Sequence, residues 1–171
     1  MGLWIRAFFI GIVALALSGC VLESKDPLFN EADAKLLLAD YPNPVIYEYN
    51  DGAWSKSATK AGFRAQGSHY LVKLDDAEME ISFTPIEGPW WALQAADPGK
   101  STNYLLVKAA AKELLLYPID CELLKGSGKF DGFVDFVDTD CTVKPGADKL
   151  ALFKALTTVE GETKMKLVSE P

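Results

Sequence analysis

The chain of 171 residues contains one histidine, His69, so a serine nucleophile with an imidazole base could be built only around it. His69 follows Ser68 in a stretch whose polarity alternates as in a β-strand. Neighbouring side chains of a strand point to opposite faces, which would separate the hydroxyl from the imidazole. The chain also lacks a Gly-x-Ser-x-Gly nucleophile motif. We therefore expect His69 to be a strand residue and predict no catalytic residues.

Glu78 and Glu80 are the most regular pair of carboxylates, and two such groups could act as acid and base in a glycosidase directed at the cell wall. They alternate with Met79 and Ile81. This alternation is typical of a strand with one buried and one solvated face. We expect a solvated face, and we keep a cell-wall enzyme as the weakest alternative function.

Four aspartates lie close together and could offer oxygen ligands to Ca²⁺, namely Asp131, Asp135, Asp138 and Asp140. Their spacing does not match the twelve-residue calcium loop, which ends in a glutamate. Zinc is also disfavoured, because a single histidine leaves a four-ligand site short of ligands. We interpret the cluster as a charged strand edge, and we predict neither a metal nor another cofactor.

Trp54, Trp90 and Trp91, together with Arg64, are the candidate binding residues. Tryptophan supplies a large contact area and a polar ring nitrogen at interfaces. A guanidinium can bind a carboxylate or phosphate through two hydrogen bonds, although a salt bridge within the protein is the commoner role. Adjacent in a strand, Trp90 and Trp91 would point to opposite faces, so we expect one of them to pack in the core and the other to be exposed.

The N-terminus has the organisation of a secretory signal peptide. Arg6 is the one charged side chain among residues 1–19, and an uncharged apolar run extends from Ala7 to Leu17. Eleven helical residues would cover only about half of a hydrocarbon core that is roughly 30 Å thick. We therefore expect an export signal rather than a permanent transmembrane helix.

Leu17, Ser18, Gly19 and Cys20 end this signal, and they resemble the lipobox of bacterial lipoproteins. The resemblance implies that signal peptidase recognises the first three residues, that Cys20 receives a diacylglycerol group, and that the chain is cut before Cys20. Two or three acyl chains hold a protein stably on a bilayer. The membrane is thus an expected partner, through the acyl chains on Cys20.

Val21 follows the lipidated cysteine, where an aspartate would signal retention in the inner membrane of enteric bacteria. The resemblance therefore favours the outer membrane, with the domain facing the periplasm. The remainder of the chain loosely resembles uncharacterised β-rich envelope lipoproteins of Gram-negative bacteria. That likeness implies no known activity.

Removal of residues 1–19 takes the net charge from −7 to −8, because Arg6 is their only charge. Binding to nucleic acid needs clustered Lys and Arg, so nucleic acid is excluded as an expected partner. Like charges also disfavour direct docking of the folded surface on anionic lipid.

Cys121 and Cys141 are the cysteines that remain beside Cys20. An exported protein folds in an oxidising compartment. Their spacing differs from the Cys-x-x-Cys of redox enzymes. We predict a structural disulfide between them.

The expected fold is α+β and mainly β, an antiparallel meander or small half-barrel with a short N-terminal and a C-terminal helix. Its clearest signals are two runs of alternating apolar residues, Tyr70, Val72 and Leu74, then Met79, Ile81 and Phe83. We divide the chain into a signal peptide (1–19), a lipidated cysteine with a tether (20–29) and one β-rich domain (30–171).

The N-terminal helix is predicted from Asn30, a good cap, and ends at Tyr41 before Pro42. The second helix is predicted from Lys149 to about Thr157, with one apolar face formed by Leu150, Phe153 and Leu156. The charged tail from Glu160 is expected to pair weakly or to fray.

From these observations we predict a non-enzymatic, membrane-anchored envelope lipoprotein that binds another envelope protein or a glycan. The first alternative is a lipocalin-like carrier that holds a small apolar ligand inside a barrel.

Overall fold

The computed structural model describes residues 21–74, 77–96, 101–159 and 161–170. The predicted signal peptide and the residues that resemble a lipobox, 1–20, lie outside the described residues. Strands make up 51% and helices 13%, which confirms the prediction of a mainly β fold.

The described residues form twelve strands. They are β1 (Leu22–Ser24), β2 (Pro44–Asn50), β3 (Ala53–Lys56), β4 (Ala61–Gln66), β5 (His69–Leu74), β6 (Ala77–Glu87), β7 (Trp90–Ala96), β8 (Thr102–Ala109), β9 (Glu113–Pro118), β10 (Val134–Val137), β11 (Asp140–Val143) and β12 (Met165–Ser169). Two α-helices accompany them, α1 (Cys121–Ser127) and α2 (Lys149–Leu156), with a 3₁₀ helix at Leu37–Asp40.

Nine strands form one antiparallel path in the order β3-β2-β12-β9-β8-β7-β6-β5-β4. The six strands from β4 to β9 follow one another along the chain and pair as a meander. Its register places Tyr70 opposite Ile81 and Val72 opposite Met79. The alternation predicted for these two strands is therefore confirmed, because inward residues meet across the pair.

The path curls into a half-barrel. Its two edge strands, β3 and β4, are separated by residues 57–60 alone, so Lys56 and Ala61 are at most roughly 19 Å apart at about 3.8 Å per Cα step. Ile46 of β2 and Val72 of β5 belong to one buried cluster, although several strands separate them in the path. The predicted half-barrel is confirmed, and apolar side chains fill its interior.

A second buried cluster lies on the outer face of β6, β7 and β8, beneath the two helices. Alternation divides each central strand between the clusters: on β8, Leu106 faces the helices and Val107 faces the barrel interior. A strand that is buried on both faces has a nearly continuous run of apolar residues in the sequence.

Both helices begin at an aspartate cap. Asp120 accepts hydrogen bonds from the backbone of Glu122 and Leu123 at the start of α1, a helix that the sequence reading did not predict. The C-terminal helix was predicted and is confirmed as α2, capped by Asp148. Its buried face differs from the expected one, with Leu152 buried beside Phe153 and Leu156 while Leu150 is exposed.

The predicted N-terminal helix is wrong. Asn30 accepts hydrogen bonds from the backbone of Ala32 and Asp33, which makes an isolated turn. Lys35 then donates its backbone N–H to the carbonyl of Phe83 on β6, at 2.8 Å. This contact with the sheet draws the chain away from a helix, so that only the 3₁₀ helix at Leu37–Asp40 follows.

The segment expected as a tether over residues 20–29 is folded from Val21 onward. β1 pairs in parallel with β11 and antiparallel with β8. Leu22 is completely buried and Phe29 is nearly so. Residues 21–29, predicted as part of the tether, therefore belong to the folded domain, because Leu22 and Phe29 are part of the cluster under the helices.

The C-terminal tail also differs from the expectation of weak pairing. β12 lies between β2 and β9, with Leu167 opposite both Ile46 and Leu114. Leu167 is buried while its two neighbours are only half-buried. The buried Leu167 and the hydrogen bonds to both neighbouring strands thus hold β12 in the sheet. The charged residues of this segment had suggested that it would fray.

The predicted disulfide is confirmed. Cys121, at the start of α1, bonds to Cys141 on β11, with 20 residues of sequence separation. Both residues are buried in the cluster under the helices. The bond joins α1 to the strand beside which β1 lies.

Candidate functional site

The structure separates the candidate binding residues. Trp90 packs against the cluster under the helices and Trp91 against the barrel interior, so the two face opposite sides as predicted. Both are half-buried, so the expectation that one of them is exposed is wrong, because each face of β7 is covered by a cluster. Trp54 lies on the edge strand β3, and Arg64 is exposed on the opposite edge strand, β4. No single site contains all four.

Trp90 instead forms one wall of a groove of about 410 Å³ between the outer face of the sheet and the two helices. Its lining includes Trp90, Leu106, Lys108, Tyr117, Leu123 and Leu156. Strands β7, β8 and β9 supply one side, and α1 with the end of α2 supplies the other. The volume lies within the usual range for small-molecule sites, roughly 300–1,000 Å³.

Sheet register explains why the aromatic wall forms. Trp90 is opposite Lys108, and Tyr117 is opposite Leu106 on the other side of β8. The rings of Trp90 and Tyr117 therefore meet across the groove floor, with centroids 5.4 Å apart and tilted by 56°. The Lys108 ammonium lies over the Trp90 ring, 5.4 Å from its centroid.

The groove is apolar on its floor and polar at its rim. Burial raises the pKa of Tyr117 above its ordinary value, because desolvation disfavours the charged phenolate. Lys108 is exposed, and the Asp120 carboxylate is engaged in capping α1. Leu123 exposes 43% of its surface beside these groups. Such a lining suits an apolar or amphipathic ligand.

A second aromatic group surrounds Trp54. Its ring lies 5.3 Å from that of Tyr49, and the Lys166 ammonium lies 4.7 Å from its centroid. Lys166 also forms an ion pair with Glu113 at 2.8 Å. Because its cation is already paired, this group offers a stacking surface without a free charge.

The residues considered for catalysis occupy strand faces. The His69 imidazole is 3.9 Å from the Glu80 carboxylate, and Glu78 and Glu80 are exposed beside half-buried Met79. This arrangement fits the expected solvated face. Within the described ranges, no three His, Cys, Asp or Glu side chains are grouped closely enough to hold a metal ion. Asp135 instead forms an ion pair with Lys144 at 3.5 Å.

A buried polar network underlies the N-terminal segment and was not predicted. The Tyr104 hydroxyl hydrogen-bonds with Ser24 at 2.7 Å and accepts from the backbone of Leu28 at 2.9 Å. The Gln94 amide accepts from the N–H of Phe29 and donates to its carbonyl. Burial raises the pKa of Tyr104. The one available signal was Gln94 in an otherwise apolar strand.

Lys108, Tyr117 and Leu123 are groove residues that the sequence did not predict. The cap at Asp120 could have indicated α1, and with it an exposed Leu123. No local pattern could have indicated that Tyr117 faces Trp90, because β8 lies between their strands.

No helix in the part of the chain described above is both long and apolar enough to cross a membrane. Comparisons of the chain with protein families, with curated proteins and with solved structures give no match.

Proposed function

We propose that the protein is an envelope lipoprotein, anchored through acyl chains on Cys20, whose domain is a non-enzymatic binding module. The pattern Leu17-Ser18-Gly19-Cys20 supports the anchor, and Val21 in place of aspartate supports the outer membrane, with the domain facing the periplasm. Removal of residues 1–19 leaves Cys20 directly before the first described residue of the domain.

The groove walled by Trp90 and Tyr117 is the proposed binding site, and it is the observation that carries this function. It combines an apolar floor with exposed Leu123 and a cation at the rim. Aromatic residues with exposed apolar neighbours are typical of the energetic centre of a binding surface. The proposed occupant is an apolar group of another envelope component.

The test compares two exposed leucines on the two helices. Leu123 exposes 43% of its surface at the groove, and Leu150 exposes 42% on α2 without lining it. A photo-crosslinking amino acid at Leu123 in cells is expected to yield one discrete adduct, and the same amino acid at Leu150 is not. Equal labelling at both positions would contradict the groove as the site.

Carriage of a small apolar ligand is the second candidate function, favoured by the groove volume and by its apolar floor. Side chains occupy the interior of the half-barrel, so the groove, rather than the barrel, is the proposed ligand site. Native mass spectrometry of purified mature protein distinguishes the two functions. A co-purified small ligand supports the carrier, and a macromolecular adduct at Leu123 supports the interaction module. Hydrolysis of peptidoglycan by the purified protein would contradict both.

A further inference from the structure

The described chain begins at the rim of the groove. The backbone of Val21 bridges that of Asp120, and Asp120 lines the groove. Cys20 is one peptide bond from Val21, about 3.8 Å between Cα atoms. Any lipid attached to Cys20 is therefore attached next to the groove.

The residues that follow Val21 are held on the domain, so they cannot act as a flexible linker between the domain and a lipid on Cys20. Leu22 of β1 pairs with Cys141 of β11, and the disulfide between Cys141 and Cys121 links β11 to α1. The buried bonds of Tyr104 to Ser24 and Leu28 then hold the next residues.

Helix α2 closes over the same segment. The ring of Phe29 packs edge-on against Phe153, with centroids 5.2 Å apart. Lys149 forms an ion pair with Asp33 at 2.9 Å. Residues 21–33 are thus fastened at both ends, and acyl chains on Cys20 would bring the groove to within a few residues' length of the lipid headgroups.

The residues at the rim of the groove are of types that suit the surface of a bilayer. Half-buried Trp90 and Tyr117 are residue types that favour the membrane–water interface, and exposed Leu123 extends the apolar floor outward. The Lys108 ammonium beside Trp90 can pair with a headgroup phosphate.

We infer that the ligand of the groove is a phospholipid of the bilayer that holds Cys20, with an acyl chain on the floor and the phosphate at Lys108. This inference rests on the proposed lipid anchor and on the proposed groove site, and of the two candidate functions it takes the second, in which the occupant of the groove is a small apolar ligand. The bilayer is the source of the ligand, because the anchor keeps the groove at its surface.

Trp90 and Trp91 provide a matched pair of probes, since they are neighbours on β7 that face different clusters. One variant keeps Trp90 (Trp54→Phe, Trp91→Phe) and the other keeps Trp91 (Trp54→Phe, Trp90→Phe). Each processed protein, which begins at Cys20 and so lacks Trp4, is reconstituted in phosphatidylcholine vesicles whose acyl chains carry bromine. Trp90 is expected to lose most of its fluorescence through contact with brominated chains, whereas Trp91 is expected to lose little.

A groove-filling variant tests whether the lipid lies inside the groove. Thr158 is exposed and lines it, so Thr158→Phe is expected to occupy the space without disturbing a core. Native mass spectrometry of protein taken from phosphatidylcholine vesicles is expected to find one bound phosphatidylcholine, and Thr158→Phe is expected to lose that adduct and most of the quenching of Trp90.

A flexible insertion tests the role of the short attachment. Ten Gly and Ser residues between Cys20 and Val21 would add a tether of roughly 17 Å root-mean-square length. The lengthened protein is expected to float with vesicles as before but to show weaker quenching of Trp90.

The failures are distinguishable. Protein that does not float with vesicles contradicts the anchor, and this inference with it. Floating protein in which Trp90 is quenched no more than Trp91 leaves the anchor intact and overturns the lipid ligand. Strong quenching that survives Thr158→Phe, without a phosphatidylcholine adduct, also overturns it, because the groove then only touches the bilayer.

Discussion

At the scale of single residues, the Tyr104 hydroxyl holds the N-terminal segment on the sheet. It is buried, and it serves both Ser24 and the backbone N–H of Leu28. Phenylalanine at this position would keep the ring contact with Phe153 while leaving the N–H of Leu28 without its acceptor. The network therefore couples the start of the domain to its core.

We expect Tyr104→Phe to lower the free energy of unfolding by about 1–3 kcal/mol, the usual cost of a buried unsatisfied group. Tyr49→Phe is the matched control, because Tyr49 is exposed and its ring contact with Trp54 is retained. Urea unfolding of both variants measures the difference. Equal free energies of unfolding for the two variants would show that the hydrogen bonds of Tyr104 make no net contribution to stability.

At the scale of elements, the disulfide is the covalent link between α1 and the strands around β1. It joins Cys121 to Cys141, and Cys141 is the partner of Leu22 in the parallel pair. In the chain-entropy account, closing a loop of about 20 residues contributes roughly 3 kcal/mol.

Reduction of the disulfide is expected to lower the urea midpoint and to speed hydrogen exchange at β1 and β11 before β5 and β6. The double variant Cys121→Ala, Cys141→Ala is the control, and reductant should not change its midpoint. Thiol labelling of the denatured, unreduced protein should find neither cysteine free. Uniform loss of protection across the sheet would contradict a local role.

Periodicity predicted the elements whose structure is decided locally. Strand β5 and residues 78–83 of β6 alternate because one face is buried there, and Asp148 caps α2 where the sequence places its start. The N-terminal helix failed because the bond from Lys35 to Phe83 on β6 outweighs the local preference. Helix α1 was missed because it is short and contains Gly126.

Local sequence patterns could not predict the groove, for a different reason. Trp90 was identified as a binding candidate, but its partners Tyr117 and Leu123 come from β9 and α1. Only the strand order, together with the packing of α1 on the sheet, brings them together. The disulfide was predictable because composition left one pair of cysteines.

At the scale of the whole molecule, the net charge and the proposed anchor act in opposite directions. The chain has a net charge of −7, and the proposed removal of Arg6 with the signal would make it −8. A folded surface of this sign is repelled by anionic lipid, while two or more acyl chains bind a bilayer stably. Attachment should therefore depend on Cys20 alone.

Cys20→Ala is expected to move the protein out of the membrane fraction or to block its processing. The released domain is also expected not to bind anionic vesicles at low salt. Fractionation of cells and vesicle flotation measure the two outcomes, with Leu150→Ala as a surface control. A Cys20→Ala protein that is processed and stays on the membrane would contradict the lipobox interpretation.

The position of β12 has a consequence for the time course of folding. It joins β2 to β9 by pairs such as Leu167 with Ile46, which are more than a hundred residues apart in the chain. Contacts of such long range slow the folding of β proteins, since the intervening loop must close before they form. The half-barrel therefore cannot close until β12 has paired with β2 and β9. In the export that we propose, a chain that emerges N-terminus first would keep its half-barrel open until its last strand arrives.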